Sequence, residues 1–210
     1  MSWIGSTILT QTNNVMASWH FLYRGELIML VDLTLEITPE IAAQHGMHAG
    51  KLPGHLGTHF DVMNKTFPLD YTTREAIVFD VSSIKDREIE PEDIDLTQVH
   101  ADMFVGFRTG FIEEYGYGTD TYRHDHPQLS IRLVDELLKK HISIIGIDFA
   151  GIRRGKGHTP ADQYCADHGV FIVENLVSLG RVIGHSVIHT YPMKYSGITG
   201  LPCRVIAETE

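Results

Sequence analysis

The feature that most constrains the fold is the alternation of short apolar runs with helical patterns in the second half of the chain. Residues 142–147 form an apolar run interrupted only by Ser143, which is typical of a strand buried on both faces. Before this run, residues 129–140 place their apolar side chains on one helical face. After it, Thr159 as N-cap and Pro160 in the first turn predict a second helix, and residues 170–173 predict another strand. This order of elements predicts an α/β domain.

The rest of the chain adds further β-like segments and several loops. Strands are predicted at residues 27–37, 55–63, 76–81, 103–108, 186–190 and 203–208. A short helix is predicted from residue 38, a loop over residues 46–54, and Gly169 is expected to end the second helix. The polar, aromatic segment at residues 116–127 is predicted to be a long loop of the kind that often carries sites.

No repeat and no Pro-, Gly- or Ser-rich linker divides the chain. We therefore predict one domain over residues 27–210, preceded by an N-terminal extension over residues 1–26. Two interpretations of the extension remain: an arm that packs on a partner subunit, or a strand that covers the domain.

Charge and hydropathy exclude several classes of partner. The formal net charge of −10 argues against nucleic acid, because phosphates need a basic surface. No apolar run approaches the roughly 20 residues of a membrane span, and no signal-peptide pattern opens the chain. Cys165 and Cys203 are too few for a disulfide framework, so a reduced, cytoplasmic protein is predicted.

Histidine is abundant, with 13 in 210 residues, and its densest pattern is His55-Leu-Gly57-Thr-His59-Phe-Asp61. On a strand, alternate side chains share a face, so two imidazoles and a carboxylate would converge there with Gly57 between them. This set is suited to a divalent transition metal. The alternative is a strand that carries two histidines by chance.

The same segment resembles the signature of the metal-dependent cyclase/hydrolase family, which includes kynurenine formamidase and isatin hydrolase. The family pattern is HxGTHxDxPxH, and residues 55–61 match its first seven positions. Met63 stands in place of the proline and Lys65 in place of the last histidine. Other matching segments, in order, are VDLT at 31–34, RTG at 108–110, IGID at 145–148 and VFIVENL at 170–176.

This resemblance implies a fold, a metal and a mode of assembly. The fold would be an α/β domain of the swivelling β/β/α type with a mixed sheet. The metal would be zinc or manganese, and the protein would be a homodimer or homotetramer that acts on a small-molecule substrate.

The resemblance also implies roles for individual residues. His55, His59 and Asp61 match metal ligands, and Glu174 matches a glutamate that binds metal or works as acid or base. Family members usually carry a histidine twelve residues before that glutamate, where this chain has Asp162. Asp162 is either a ligand or a residue that complements the helix dipole.

Lys65 is the main departure from the family pattern. A protonated ammonium has no lone pair and cannot be a ligand. Lys65 would either pair with Asp61 or Glu174 and stabilise an oxyanion, or lose its proton and act as a base. The third possibility is that it faces solvent. We favour a site with one metal ion on this basis, and we expect Lys65→His to raise the metal content.

These residues predict a metal-dependent hydrolase of a small amide, formamide, lactam or lactone, similar to an arylformamidase. The bound metal would activate a water molecule and polarise the carbonyl, with Glu174 and Lys65 as catalytic residues. Two alternatives remain: a non-catalytic metal- or small-molecule-binding relative, and a cyclase or dehydratase on the same scaffold.

Other polar motifs rank lower. His124 and His126 are expected in a solvated loop, and His185 and His189 are expected to be structural. The position of His158 relative to the site is left open. The basic, glycine-rich segment at residues 151–157 lacks the GxxxxGK[ST] pattern of a phosphate-binding loop, and it is a candidate for contact with a substrate carboxylate.

Overall fold

The computed structural model describes residues 18–23, 26–33, 35, 54–195 and 197–209. Its strands are β1 (Ser18–Tyr23), β2 (Glu26–Asp32), β3 (His59–Asp61), β4 (Thr73–Asp80), β5 (Phe104–Arg108), β6 (Ile144–Ile147), β7 (Phe171–Glu174), β8 (Gly184–Pro192) and β9 (Gly200–Thr209). Its α-helices are α1 (Phe111–Tyr115), α2 (Asp120–His124), α3 (Ile131–Lys139) and α4 (His158–Asp167). Short 3₁₀ turns at Leu69–Thr72, Pro91–Asp93, Leu96–Gln98, Gly155–Gly157 and Leu179–Arg181 connect them.

The strands form one mixed sheet in the order β1-β2-β9-β3-β7-β6-β5-β4-β8. Strands β4, β5, β6 and β7 are parallel, and all other pairings are antiparallel. Because β8 also pairs with β9, seven strands close into a barrel, and β2 and β1 extend from β9 outside it. The α/β class and the mixed sheet are therefore confirmed.

Two apolar cores lie on the two faces of this sheet. The interior core takes side chains from all seven barrel strands, among them Phe60, Phe104 and Val173. The second core lies between the parallel strands and the helices, and it includes Ile145 of β6 and Leu133 of α3. Burial on both faces explains why β6 is an uninterrupted apolar run.

Close packing inside the barrel depends on one glycine. A Cβ atom on Gly146 would lie 2.2 Å from Cζ of Phe104, so the phenyl ring occupies the space that any other residue would need.

Most predicted elements are confirmed within a few residues, but three predictions are wrong. The strand predicted at 55–63 is only His59–Asp61, because Gly57 at φ 65° turns the chain before it. The loop predicted at 116–127 contains α2, which Thr119 caps by accepting a hydrogen bond from the Tyr122 N–H. The helix predicted from Thr159 begins at His158.

The earlier start of α4 has a local cause. The 3₁₀ turn at Gly155–Gly157 leads directly into the helix, and Gly157 already has helical dihedrals of φ −83° and ψ −17°. No Thr159 cap is therefore needed. At the other end, Gly169 has φ 76° directly after the last turn, as expected for a helix stop.

Some predicted elements cannot be compared with the structure. The helix predicted from residue 38 and the loop predicted at 46–54 fall, except for Gly54, outside the described residues. Within the predicted N-terminal extension, Ser18–Tyr23 forms β1 and pairs with β2. In the described part of the chain, no helix has the length and hydropathy to span a membrane.

Candidate metal centre

The centre begins with the pairing of β3 and β7, which brings two of its side chains together. His59 and Glu174 are directly opposite each other in the register of these antiparallel strands. Phe60, between His59 and Asp61, points into the barrel interior. Because side chains alternate along a strand, His59 and Asp61 lie on the outer face.

A first group of possible ligands is formed by His55, His59 and Asp61. Nδ1 of His55 lies 2.9 Å from Oδ1 of Asp61 and 3.2 Å from Nε2 of His59. Nε2 of His59 lies 3.7 Å from the same carboxylate oxygen. Ligand atoms around one tetrahedral ion at about 2.1 Å are separated by about 3.4 Å. The three atoms therefore have the spacing of ligands to one ion.

A second group comes from α4. His158 and Asp162 are four residues apart on one helical face, and Nε2 of His158 lies 3.1 Å from Oδ2 of Asp162. These two residues and Asp61 form a second set of possible ligands with atoms within 4.8 Å of one another. Asp61 is thus common to both groups.

Glu174 connects the two groups. Its Oε2 lies 3.7 Å from Nε2 of His59, and its Oε1 lies 3.5 Å from Nε2 of His158. Three buried carboxylate oxygens of the centre, Oδ2 of Asp61, Oδ1 of Asp162 and Oε1 of Glu174, have no hydrogen-bond partner among the described residues. Unpartnered buried carboxylate oxygens are unfavourable unless something binds them, so the donor set fits a divalent cation.

Backbone contacts fix the orientation of His59. Its Nδ1 lies 2.9 Å from the Gly57 carbonyl, which can only accept, so Nδ1 carries the hydrogen and Nε2 is left free toward the centre. The Asn175 amide also donates to this carbonyl at 2.8 Å, and Asn175 Oδ1 accepts from the Tyr122 hydroxyl at 2.6 Å. Asn175 itself has φ 60°, a conformation uncommon outside glycine.

Burial and charge shift the pKa values in the centre. Burial raises the pKa of Glu174 well above its usual range, and the Asp61 and Asp162 carboxylates raise it further. Burial, followed by the Asp61 charge, raises the pKa of Asp162. Burial lowers the pKa of His59, whereas hydrogen bonds to Asp61 and Asp162 raise the pKa values of His55 and His158 respectively.

Lys65 lies outside this cluster. Its Nζ forms an ion pair of 2.6 Å with Asp167, at the end of α4, and both side chains are largely exposed. A turn in which the Lys65 N–H donates to the Val62 carbonyl, with Met63 at φ 54°, directs the chain away from β3. The predicted pairing of Lys65 with Asp61 or Glu174 is therefore wrong, and the solvent-facing alternative describes the structure.

His158 is a possible ligand that the sequence alone does not assign to the centre. It was placed before the helix, where it shares no face with Asp162. The signal that could have identified it is the i, i+4 spacing of His158 and Asp162, given a helix that begins two residues earlier than the Thr159 cap predicts. Gly151 also makes room for it, because a Cβ atom there would lie 2.4 Å from Cε1 of His158.

The lower-ranking motifs have other environments. His126 is buried, stacks on Phe149 with ring centroids 5.7 Å apart, and contacts the Pro127 carbonyl. His124 is exposed, and His189 pairs with Glu208. In the basic segment at 151–157, Arg153 binds Glu88 and the Leu129 carbonyl rather than the centre.

The barrel and the nitrogen–oxygen cluster on its outer face define the class of protein as an α/β domain with a candidate metal centre. The family model named Cyclase ("Putative cyclase") matches residues 31–153. This match covers more than half of the chain, so the chain belongs to the cyclase family. No curated protein matches the chain.

Solved structures agree on the fold. A "potential metal-dependent hydrolase with cyclase activity" is 24% identical with a TM-score of 0.70, covering 87% of this chain and 98% of its own. A "predicted metal-dependent hydrolase" from Bacillus stearothermophilus is 21% identical with a TM-score of 0.67, covering 87% and 99%. Isatin hydrolase A from Ralstonia solanacearum is 18% identical with a TM-score of 0.70, covering 87% and 92%.

Proposed function

We propose that this protein is a metal-dependent hydrolase that cleaves the carbon–nitrogen bond of a small amide-type substrate, a formamide or a lactam. The observation that carries the proposal is the buried cluster of histidines and carboxylates with unpartnered oxygens beside a cavity. Membership of the cyclase family and the names of the similar structures support it.

The ligands would be His55, His59 and Asp61 in one group and Asp61, His158 and Asp162 in the other, with Glu174 beside both. This arrangement supports two adjacent metal positions rather than the single position favoured by the sequence. Imidazole and carboxylate ligands are suited to zinc or manganese, and we propose one of these. When bound, such an ion lowers the pKa of water and polarises a carbonyl group.

Glu174 is the proposed acid–base residue. Its Oε1 has no hydrogen-bond partner among the described residues and can accept a proton, and in the absence of a bound cation burial and two neighbouring carboxylates raise the pKa of Glu174. Glu174 would accept a proton at a carboxylate oxygen from the attacking water and transfer it to the leaving nitrogen. The β3–β7 register holds this carboxylate beside His59.

The cavity is open to solvent, so it limits only the part of the substrate that lies beside the centre. Its volume is about 180 Å³, and it is lined in part by His55, His59, Tyr117, His158 and Glu174. A cavity of about 150 Å³ holds benzene in another protein, so a substrate built on one small ring fits this space. An arylformamide and a fused lactam each present one aromatic ring that this space can hold, and the name of the isatin hydrolase neighbour supports the second.

Three finer assignments complete the proposal. The domain would be of the swivelling β/β/α type, and the protein would be a homodimer or homotetramer. We propose a reducing, cytoplasmic compartment because the described cysteines, Cys165 and Cys203, are both free and buried.

The test is hydrolysis by the purified protein after chelation and reloading with zinc or manganese. Formanilide, isatin and a simple lactone serve as substrates, in water enriched in ¹⁸O. We expect metal-dependent cleavage of formanilide or isatin with one labelled oxygen in the carboxylate product.

Glu174→Gln should abolish turnover, whereas Asp167→Asn, at the exposed end of α4, serves as the matched control. Metal loading without any turnover would favour the binding-protein alternative, and an unlabelled product would favour a cyclase or dehydratase.

A further inference from the structure

We propose that Arg123 determines specificity by binding an anionic group of the substrate, of which a carboxylate on the ring is the simplest form. This inference deepens the proposed function, and it rests on that function for the identity of the reaction. It assigns the recognising cation to α2, whereas the sequence suggested the glycine-rich segment at 151–157.

The first observation is the position of Arg123. Arg123 is exposed to solvent and, together with Tyr117 and Gly118, lines the same cavity as His59 and Glu174. Tyr117 lines the cavity as well, and its hydroxyl accepts a hydrogen bond of 3.0 Å from the Gly57 N–H. Arg123 therefore lies at the wall of the cavity that leads to the centre, within reach of a substrate bound there.

The second observation is that no described carboxylate pairs with this guanidinium. Six other arginines each have a carboxylate partner within 3.3 Å among the described residues: Arg74, Arg87, Arg108, Arg132, Arg153 and Arg204. Arg154 and Arg181 also lack one in that part of the chain, but neither lines the cavity. Arg123 thus combines an available guanidinium with a position on the cavity wall.

The third argument is the balance of charge. The carboxylates of Asp61, Asp162 and Glu174 face the proposed metal positions, so their charges are offset there. The positive charge of Arg123 has no such counterpart within the described residues. A guanidinium presents a planar fork of N–H donors that binds a carboxylate with two parallel hydrogen bonds. An anionic substituent on the substrate would supply the missing partner.

The experiment compares substrates that differ only in this charge. Formanilide and the 2-, 3- and 4-formamidobenzoates are assayed with the metal-loaded wild type, Arg123→Gln, Arg123→Lys and the control Arg154→Gln. We expect the wild type to prefer one of the formamidobenzoates over formanilide in kcat/KM. Arg123→Gln should lower that preference by about tenfold or more, since a charged hydrogen-bonded pair is lost. Arg123→Lys should give an intermediate value, and Arg154→Gln should leave the ratio unchanged.

A direct binding measurement separates this inference from the reaction. Calorimetry with benzoate on the same metal-loaded proteins should show binding at least fivefold weaker in Arg123→Gln than in Arg154→Gln. If formanilide is hydrolysed but neither the substrate ratio nor benzoate binding depends on Arg123, this inference is wrong and the proposed function stands. If no substrate is hydrolysed, benzoate binding alone decides: a loss confined to Arg123→Gln supports anion recognition, and equal binding overturns it.

Discussion

The two halves of the candidate centre are built in different ways. The first half, His55, His59 and Asp61, comes from a turn and a short strand at residues 55–61. The second half, His158 and Asp162, comes from the first turns of α4. Burial does not separate them, because each half has a buried carboxylate and one partly exposed histidine: the His55 side chain is 49% exposed and that of His158 is 34% exposed.

The difference lies in what holds each half in place. The Thr58 hydroxyl between the two histidines donates to the Asn175 carbonyl at 2.9 Å and accepts from the Leu35 N–H at 2.8 Å. With the pairing of β3 to β7 and β9, these bonds fix the first half through the backbone. The second half is held by one helical face and by the space that Gly151 leaves. We conclude that the first half is the more preorganised.

The largest predicted effect is the loss of His59. His59→Ala should lower kcat/KM by about a thousandfold, because metal binding supplies several kcal/mol of transition-state stabilisation. His158→Ala should have a smaller effect, because the preorganised half is retained. Steady-state kinetics with a fixed metal concentration check this order. Equal losses in both variants would contradict the difference between the two halves.

A glycine substitution perturbs the second half without removing a ligand. In Gly151→Ala, the new Cβ would lie 2.4 Å from His158 Cε1, at a backbone φ of 100° that alanine rarely adopts. We expect a loss of about 1–3 kcal/mol in the free energy of unfolding, together with weaker metal binding. Gly155→Ala is the matched control, since Gly155 has φ 55° but no atom within 4 Å of its Cβ position. Equal metal affinity in the two variants would show that Gly151 does not position His158.

His126 is a buried histidine outside the centre. It tests how burial, rather than a neighbouring carboxylate, shifts the pKa of a histidine. Burial lowers the pKa of His126 from 6.5 to about 4, so the unfolded chain binds a proton that the folded protein does not between these values. This group therefore leaves the free energy of unfolding unchanged above pH 6.5. As the pH falls from 6.5 toward 4, it lowers the free energy of unfolding by about 3 kcal/mol. Denaturant unfolding at several pH values should show this slope, and His126→Phe should reduce it.

His124→Gln, on the exposed side of the same segment, is the control for that measurement. An unaltered slope in His126→Phe would show that His126 is not the group whose protonation destabilises the fold.

The smallest effect is expected at Lys65. Because its ion pair with Asp167 is exposed, Lys65→Met should change the free energy of unfolding by less than about 1 kcal/mol and leave the metal content unchanged. Elemental analysis of the purified variant checks this. A changed metal content in Lys65→Met would restore the sequence-based role of Lys65 in the centre.

The local pattern of apolar residues was sufficient to predict much of the fold. The run at Ile144–Ile147 predicts a strand because burial on both faces requires apolar side chains at every position. The apolar stripe of α3 predicts its buried face in the same way, and Leu133, Val134, Leu137 and Leu138 are all buried. Closure of the barrel by β8 and β9 could not be predicted, because it depends on pairing between strands and not on the pattern within one.

The candidate centre could also be predicted only in part from local sequence pattern. The sequence grouped His55 with His59 and Asp61, but through a strand alternation that the turn at Gly57 interrupts. His55 reaches Asp61 from that turn instead. The sequence does not assign His158 to the centre, because Thr159 is a good N-cap and a helix capped there excludes His158 from the face of Asp162. A difference of two residues in the N-cap, Thr159 predicted and Gly157 observed, therefore concealed half of the centre.

The most direct test of the centre is its metal content. Zinc or manganese bound per chain is measured by mass spectrometry after loading and gel filtration, for the wild type and for His158→Ala. If the two halves form adjacent positions that share Asp61, the wild type should hold two ions per chain and His158→Ala one. The same number in both proteins, or no bound metal in either, would contradict this account.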